Sequence, residues 1–125
     1  MENVRFYKCN ICGNVIGLIN GNSANIKCCG ESMQQLVPNT VDAATEKHVP
    51  VYQISGDELI VRVGGVDHPM DPDHYIMWVA IVSENQTTRI ALKPGDKPEV
   101  RFKYIPRSTL YAYCNKHGLW KAEVL

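Results

Sequence analysis

Short apolar segments alternate with polar turns along most of this chain, and the alternation predicts strands rather than helices. After Val49 the turns fall at Ser55-Gly56-Asp57-Glu58 and Lys93-Pro94-Gly95-Asp96, which are rich in residues that favour chain reversal. Residues Tyr75–Val82 form an almost continuous apolar run, typical of a strand that is buried on both faces. No stretch combines helical periodicity with capping residues. The pattern therefore predicts a protein made mainly of β-strands.

The second part of the chain predicts two packed sheets. Its apolar segments are Val49–Ile54, Leu59–Val63, Tyr75–Val82, Thr88–Leu92, Val100–Ile105 and Leu110–Tyr113. About seven short strands in roughly 85 residues is the strand density of an immunoglobulin-like antiparallel β-sandwich. Just before them, Val41–His48 fits either a helical turn or an irregular loop. The order of the strands stays open at this point.

The first 37 residues predict a separate and smaller unit. Its apolar pieces, Val4–Tyr7, Val15–Ile19 and Leu36–Val37, are each long enough for one short strand. A unit of fewer than about 40 residues buries too little apolar surface to fold alone, and usually needs a metal, disulfides or a partner. Four of the five cysteines lie inside it. We therefore expect a metal-binding domain at 1–37 and the sandwich at 38–125, joined by Pro38-Asn39-Thr40.

Composition and charge narrow the class of protein. A hydrophobic content of 45% with 21% charged residues is ordinary for a globular protein. Thirteen basic and thirteen acidic residues cancel, so we expect no nucleic-acid partner and no membrane partner. Residues Met1–Asn10 lack the apolar core of an export signal. An odd number of cysteines in such a chain favours metal ligands over disulfides and predicts a reducing cytoplasm.

The N-terminal cysteines predict one metal site. Cys9 and Cys12 share a C-x-x-C turn, whereas Cys28 and Cys29 are adjacent. Four thiolates suit tetrahedral zinc or a single iron ion. Because neighbouring residues cannot present their side chains with relaxed spacing, we expect a distorted tetrahedron. A purely structural zinc site, a vicinal disulfide and ordinary buried cysteines are the competing interpretations.

The remaining cysteine and all the histidines predict a second metal site. They are His48, His68, His74, Cys114 and His117. A single histidine is more often an ordinary surface or core residue than a ligand, but here no histidine is left over and all four lie in predicted loops or strand ends. Five ligands are too many for a tetrahedron and leave a sixth position open. Four imidazoles with one thiolate suit iron, and the thiolate would donate electron density towards a molecule at the open position.

Two charged residues precede the first of these histidines. Glu46-Lys47 is either a solvated pair of no consequence or part of the site. In the second interpretation Lys47 attracts a small anion, and Glu46 occupies the open position when no substrate is bound. Trp120 and Lys121 follow His117 closely, and we expect packing near the site from them.

At this point the chain resembles the desulfoferrodoxin family, the two-iron class of superoxide reductase, over essentially its whole length. The matching segments are Tyr7-Lys8-Cys9, Cys12-Gly13-Asn14, Cys28-Cys29, Glu46-Lys47-His48-Val49-Pro50-Val51, His68-Pro69-Met70, His74, Ile76, Leu92-Lys93-Pro94-Gly95, Tyr113-Cys114-Asn115, His117-Gly118 and Trp120-Lys121-Ala122-Glu123. The chain departs from the family in the loop Asp71-Pro72-Asp73 and at Leu119, neither of which is a proposed ligand.

The resemblance implies a role for each candidate residue. Cys9, Cys12, Cys28 and Cys29 would bind a desulforedoxin-like iron. The four histidines would be equatorial ligands of a second, catalytic iron, with Cys114 as the axial ligand. By the same resemblance Glu46 would ligate the oxidised iron and Lys47 would guide superoxide to it.

The resemblance also implies a reaction and its partners. The expected activity is one-electron reduction of superoxide to hydrogen peroxide, with ferrous iron restored by an external donor of the rubredoxin kind. Family members are homodimers with an immunoglobulin-like catalytic domain. Two other classes of function stay open on the residues alone: an electron-transfer protein without turnover, and a structural zinc-binding module.

Overall fold

The computed structural model describes residues 4–21 and 25–125 of the chain. The chain divides into two compact units, Met1–Val37 and Pro38–Leu125. The expected lack of an export signal in Met1–Asn10 rests partly on residues 1–3, which lie outside the described range. Among the described residues, no helix has both the length and the apolar character needed to cross a bilayer.

The structure is mainly β, as the sequence pattern predicts. The first unit contains the strands β1 (Arg5–Lys8), β2 (Val15–Leu18), β3 (Lys27–Cys28), β4 (Glu31–Ser32) and β5 (Gln34–Gln35). The second contains α1 (Thr45–His48), β6 (Pro50–Ser55), β7 (Glu58–Val63), β8 (Ile76–Val82), β9 (Thr87–Ala91), β10 (Glu99–Lys103), β11 (Thr109–Cys114) and β12 (Gly118–Glu123).

The first unit is built on β1, which pairs antiparallel with β2 on one side and β5 on the other. Tyr7 lies opposite Ile16 in one pair and opposite Gln35 in the other. Leu36–Val37 is not a strand, contrary to expectation. The strand β5 lies just before it, at Gln34–Gln35, where these residues satisfy the free edge of β1 although their side chains are exposed. Strands β3 and β4 form a separate two-stranded hairpin. The described residues of this unit therefore form very little hydrophobic core.

The second unit is an antiparallel sandwich of two sheets. One sheet has the strand order β10-β7-β6 and the other β12-β11-β8-β9. This is the division expected of an immunoglobulin-like fold, in which the third and sixth strands of the domain lie side by side at the centre of one sheet. The core between the sheets includes Leu59, Val61, Ile81 and Leu110, all at most 1% exposed. Strand β8 is buried along most of its length, as its apolar run predicts.

A register shift between β8 and β11, in the four-stranded sheet, affects the position of a candidate ligand. Tyr113 lies opposite Trp78, but Cys114 lies opposite Ile76, so Met77 is an extra residue on β8. Without this bulge, Ile76 and Val79 would point to opposite faces of the sheet, because side chains alternate along a strand. With it, both lie in the core beside Cys114. The bulge therefore sets the ends of β8 and β11 for the site described below.

The local predictions for this unit are mostly confirmed. The sequence of Val41–His48 is compatible with either a helical turn or an irregular loop. The structure has one helical turn there, α1. The sequence pattern missed β12, which pairs with β11 along its whole length, from Thr109 opposite Glu123 to Cys114 opposite Gly118. Its polar and apolar residues do not alternate regularly enough to predict a strand.

Candidate metal centres

The four N-terminal cysteines come together in one cluster, which we call the thiol cluster (Cys9, Cys12, Cys28 and Cys29). Their sulfur atoms all lie within 4.8 Å of one another. The Cys12 and Cys28 sulfurs are 3.6 Å apart, and the Cys28 and Cys29 sulfurs are 4.0 Å apart. All four are free thiols, so the alternative of a vicinal disulfide does not apply.

The backbone allows two adjacent cysteines to join one cluster. Neighbouring side chains on an extended chain point in opposite directions. Cys29 avoids this by adopting the left-handed conformation with φ of 55°, and Gly30 follows with φ of 78°. A left-handed conformation is unfavourable for a residue with a side chain, so the turn places its strain at Cys29. The structure thus shows how the C-C pair is accommodated.

The acid–base properties of the cluster favour a bound cation. Backbone N–H groups of Cys12 and Ile11 lower the pKa of the Cys9 thiol to about 6. Hydrogen bonding with the Cys12 and Cys28 thiols raises the pKa of Cys29 to about 12. One thiol therefore ionises readily while another resists, because crowded thiolates repel one another. A metal ion removes that conflict.

The spacing of the thiol cluster fits a tetrahedral metal ion. Metal–sulfur bonds of about 2.3 Å in a tetrahedron place the sulfur atoms about 3.8 Å apart. The two measured separations, 3.6 and 4.0 Å, lie on either side of that value. The Asn14 side chain also donates an N–H···S hydrogen bond to Cys28 at 3.6 Å, which stabilises negative charge on that sulfur. Sequence reasoning had not assigned Asn14 a role.

The second cluster draws on four separate elements of the sandwich. His48 ends α1, whereas His68 and His74 lie in the connection between β7 and β8. Cys114 ends β11, and His117 lies in the turn before β12. Their five ligand atoms all lie within 4.8 Å of one another. The structure therefore brings together every residue that the inventory of cysteine and histidine predicted for this site.

The four imidazoles form a closed circle, which we call the histidine circle (His48, His68, His74 and His117). Successive ring centroids are 4.6 Å, 4.7 Å, 5.0 Å and 4.9 Å apart, in the order 48, 68, 74, 117 and back to 48. Adjacent rings cross at 75° to 89°. Such an arrangement turns one nitrogen of each ring towards a common centre, as expected for four ligands in one plane.

Backbone carbonyls set the orientation of two rings. The Nδ1 atom of His48 lies 2.7 Å from the Ala44 carbonyl oxygen, and Nδ1 of His68 lies 2.7 Å from that of Pro69. Because a carbonyl only accepts hydrogen bonds, both Nδ1 atoms carry the proton. Each Nε2 atom is then left with a lone pair that faces the centre of the circle. A hydrogen bond on the far ring nitrogen is the usual support of a histidine ligand.

The inward nitrogens fit a metal ion and little else. Nε2 of His48 lies 3.1 Å from Nε2 of His68 and 3.1 Å from Nδ1 of His117. In the first pair neither nitrogen carries a proton, so the contact is repulsive unless a cation lies between them. Nε2 of His74 is buried and has no hydrogen-bond partner. Metal–nitrogen bonds of about 2.1 Å at right angles would place two nitrogens about 3.0 Å apart.

Burial keeps these imidazoles ready to bind. Desolvation lowers the pKa of His68 to about 4, and it is also the main cause of the lowered pKa values of His48 and His74. All three rings are therefore neutral at pH 7, the form in which a histidine binds a metal.

The thiol of Cys114 lies at the base of the site. It is fully buried in the core, and its sulfur is 3.9 Å from Nδ1 of His117. Burial raises the pKa of this thiol, while the backbone N–H of His117, 3.4 Å from the sulfur, acts in the opposite direction. Because desolvation is the larger cause, the thiolate needs a cation beside it at neutral pH.

The charged pair before His48 lies on the surface. Glu46 and Lys47 occupy α1 with exposed side chains, and neither side chain takes part in an ion pair within residues 4–21 and 25–125. The Glu46 carboxylate is not among the mutually close ligand atoms. Beneath them, Gly64 approaches so closely that a Cβ there would lie 2.5 Å from the Glu46 carbonyl oxygen. Only glycine allows this packing of α1 on the loop after β7.

Trp120 supports two members of the histidine circle at once. Its ring stacks on His48 with centroids 4.8 Å apart, and its indole N–H donates to the His117 carbonyl at 3.0 Å. The expectation that Trp120 packs near the site is met by these contacts. The carbonyl acceptors Ala44 and Pro69 were missed, because a backbone oxygen has no residue-type signal in a sequence.

Comparison with known proteins agrees with this picture. One family model, described as desulfoferrodoxin, matches residues 40–123, and another, described as the desulfoferrodoxin N-terminal domain, matches residues 1–36. A desulfoferrodoxin of Syntrophotalea carbinolica is 45% identical over 123 residues, which cover 98% of either chain. The crystal structure of the superoxide reductase from Treponema pallidum covers 97% of this chain and 99% of its own at 32% identity, with a TM-score of 0.77. A 1Fe superoxide reductase from Giardia intestinalis covers 63% of this chain and 97% of its own, at 30% identity and a TM-score of 0.56.

Proposed function

Because the chain belongs to the desulfoferrodoxin family, we propose that it is a superoxide reductase that acts at the second cluster. One observation carries the proposal: four imidazoles close in a circle beside a buried thiol. Five protein donors would leave an octahedral iron ion with one position for a small anion. The reaction consumes one superoxide, one electron and two protons and yields one hydrogen peroxide. When bound, iron supplies that electron.

We assign the ligands as the sequence predicted them. The histidine circle and Cys114 hold the catalytic iron, and the thiol cluster holds a second iron. The imidazoles are neutral, so the Cys114 thiolate would be the one negative ligand of a bound iron ion, and the positive charge that remains would favour the approach of an anion. The buried Cys114 thiolate contributes electron density from the protein side.

Lys47 is the residue that attracts superoxide. Its ammonium group is exposed and belongs to the residue directly before the ligand His48. An exposed positive charge beside a site raises the encounter rate with an anion, most strongly at low ionic strength. By the family resemblance, its neighbour Glu46 would supply a carboxylate ligand to an oxidised iron ion when no substrate is bound.

Three further properties rest on the family rather than on geometry. They are an external one-electron donor of the rubredoxin kind, a homodimeric assembly and a cytoplasmic location. The five free thiols favour a reducing compartment, since oxidation would remove the ligands. Sedimentation velocity tests the dimer, and reduction of the oxidised protein by purified rubredoxin tests the donor.

A single-turnover experiment tests the activity. Fully reduced protein is mixed with a pulse of superoxide. Peroxide, oxygen and oxidised iron are then each quantified in the same sample. The proposal predicts one peroxide per superoxide, one oxidised iron per peroxide and no oxygen from the reaction. Release of one oxygen for every two superoxide ions would indicate dismutation and contradict it. The Cys114→Ala variant is the matched control, and it should leave superoxide to decay at its spontaneous rate.

A further inference from the structure

The side chain of Asn115 binds the backbone on both sides of the ligand His74. Its Oδ1 atom accepts a hydrogen bond from the Tyr75 N–H at 2.9 Å, and its Nδ2 donates to the Asp73 carbonyl at 3.1 Å. The Asn115 N–H also donates to the Tyr75 carbonyl at 3.2 Å. One residue thus makes three hydrogen bonds to the residues that flank His74.

Asp71 holds His74 from the other direction. The Asp71 N–H donates to the His74 carbonyl at 3.0 Å, and the His74 N–H donates to the Asp71 carbonyl at 3.1 Å. Both peptide groups that adjoin His74 are therefore fixed at both ends, one end by Asp71 and the other by Asn115. Because peptide groups are planar, fixing both of them fixes φ and ψ of His74.

His74 needs this support more than two of its neighbours do. The rings of His48 and His68 are oriented by hydrogen bonds from Nδ1 to backbone carbonyls. Across the part of the chain that the structure describes, no such hydrogen bond holds the His74 ring, and its Nε2 has no partner. The direction of this ring therefore depends on its backbone.

Asn115 also lies between two other ligands in the sequence. It directly follows Cys114 and precedes His117 by two residues. Its hydrogen bonds consequently join the turn that bears these two ligands to the loop that bears His74. We propose that Asn115 is a positioning residue that holds His74 in the histidine circle. The inference rests on the proposed function only in taking the second cluster as a metal site.

Two substitutions separate the contributions of the amide. Asn115→Asp keeps an acceptor for the Tyr75 N–H but cannot donate to the Asp73 carbonyl. Asn115→Ala loses both bonds. Asn85→Ala is the matched control, because Asn85 is an exposed asparagine in the turn between β8 and β9 whose side chain contacts Ser83. Loss of a group that orients a ligand usually lowers metal affinity about 10–100-fold.

The first readout is metal affinity. Protein loaded with zinc is dialysed against graded chelator, and zinc at the second site is measured. We expect Asn115→Ala to release this zinc at a chelator strength about 10–100-fold lower than the parent does, with Asn115→Asp in between. Asn85→Ala should match the parent. If Asn115→Ala retains zinc as the parent does, the proposal is wrong.

The second readout separates positioning from general loss of stability. Zinc is diamagnetic, so nitrogen NMR resolves the ligand rings in the loaded protein. The His74 signals should shift or broaden in Asn115→Ala while those of His48 and His68 stay in place. Equal changes in all four rings, together with a lower thermal midpoint, would show a merely structural role and overturn the proposal. Neither readout depends on activity, and a parent that takes up no second metal would instead refute the proposed function.

Discussion

The two clusters are held by the protein in opposite ways. Among the described residues of the first unit, Cys12 and Cys29 are exposed and four apolar residues are buried, namely Val4, Phe6, Tyr7 and Cys9. In the second unit Cys114 is part of a core of twelve buried residues, and His48 and His68 are buried beside it. A unit with so small a core depends on its metal to stay folded. The core of the sandwich is formed by side chains alone, so we expect it to order the ligands before any metal binds.

The same contrast explains the chemistry that each cluster suits. Four thiols on a small, strained turn close around an ion and leave no position for a substrate. Five ligands at the ends of strands and in loops can surround a metal ion and still leave one coordination position free. This is possible because the core, and not the metal, fixes their positions. In this protein, the site that can keep a position open is the one whose scaffold does not depend on the metal.

Removing both metals should have the largest effect, and it should affect the two units unequally. We expect the amide resonances of residues 4–37 to collapse to unfolded positions in metal-free, reduced protein, while those of 38–125 stay dispersed. The reason is that the first unit loses the interaction that replaces its core. A proton–nitrogen correlation spectrum before and after chelation measures this. Equal loss of dispersion in both parts would contradict the account.

Removing one ligand from each site should sharpen the contrast. His68→Ala should lower the iron content from two to one per chain and lower superoxide reduction by more than about 100-fold, since even residues that merely support ligands contribute 10–100-fold. The sandwich should stay folded because its core is intact. Cys29→Ser should lower the iron content to the same extent but also unfold the first unit. Metal analysis with circular dichroism measures both, and an unfolded sandwich in His68→Ala would count against the account.

A core substitution should affect only the unit that has a core. Leu59 is fully buried, so Leu59→Ala should destabilise the sandwich by about 2–5 kcal/mol. Ile16→Ala, at a side chain in the first unit that is 38% exposed, should leave the stability of the sandwich unchanged. Trp78 and Trp120 both belong to the sandwich, so tryptophan fluorescence in a urea titration reports this unit. A comparable shift of the fluorescence transition in both variants would show that the two units do not unfold independently.

The smallest expected effect concerns the surface charge beside the second site. Lys47→Ala should slow the capture of superoxide about threefold to tenfold and flatten its dependence on salt, because one exposed charge steers the anion. Its iron spectrum should match that of the parent. Lys103→Ala, at an exposed lysine of β10, is the control and should change neither the rate nor its salt dependence. Pulse radiolysis at several ionic strengths measures the effect. An unaltered rate in Lys47→Ala would contradict the proposal that Lys47 attracts superoxide.

The sequence predicts the ligands well because their residue types are scarce. Four histidines and five cysteines fall into two groups with nothing left over, and both groups assemble in the structure. The sandwich is predictable for a similar reason, since strands such as β8 and β11 carry enough apolar residues to be recognised. The fold class and the two ligand sets therefore follow from composition and pattern, whereas iron as the metal and superoxide as the substrate come from the resemblance to the family.

The rest depends on pairing and on backbone groups. Strands β3, β4 and β5 are two residues long and largely polar. Their positions therefore depend on the strands they pair with and on the thiol cluster, and not on their own residue types. The Ala44 and Pro69 carbonyls orient ligand rings through atoms that every residue possesses. Asn115 is visible in the sequence, but its role needs the register of β11 against β8. Such features arise only when distant segments meet.

A Mössbauer spectrum of the protein loaded with iron-57 tests most directly whether one chain holds two chemically different irons. The account predicts two signals of equal area in the reduced protein, one from an ion among four sulfurs and one from an ion among nitrogens with a single sulfur. Cys114→Ala should change only the second signal. A single signal, or a Cys114→Ala spectrum identical to that of the parent, would contradict the assignment of the catalytic centre.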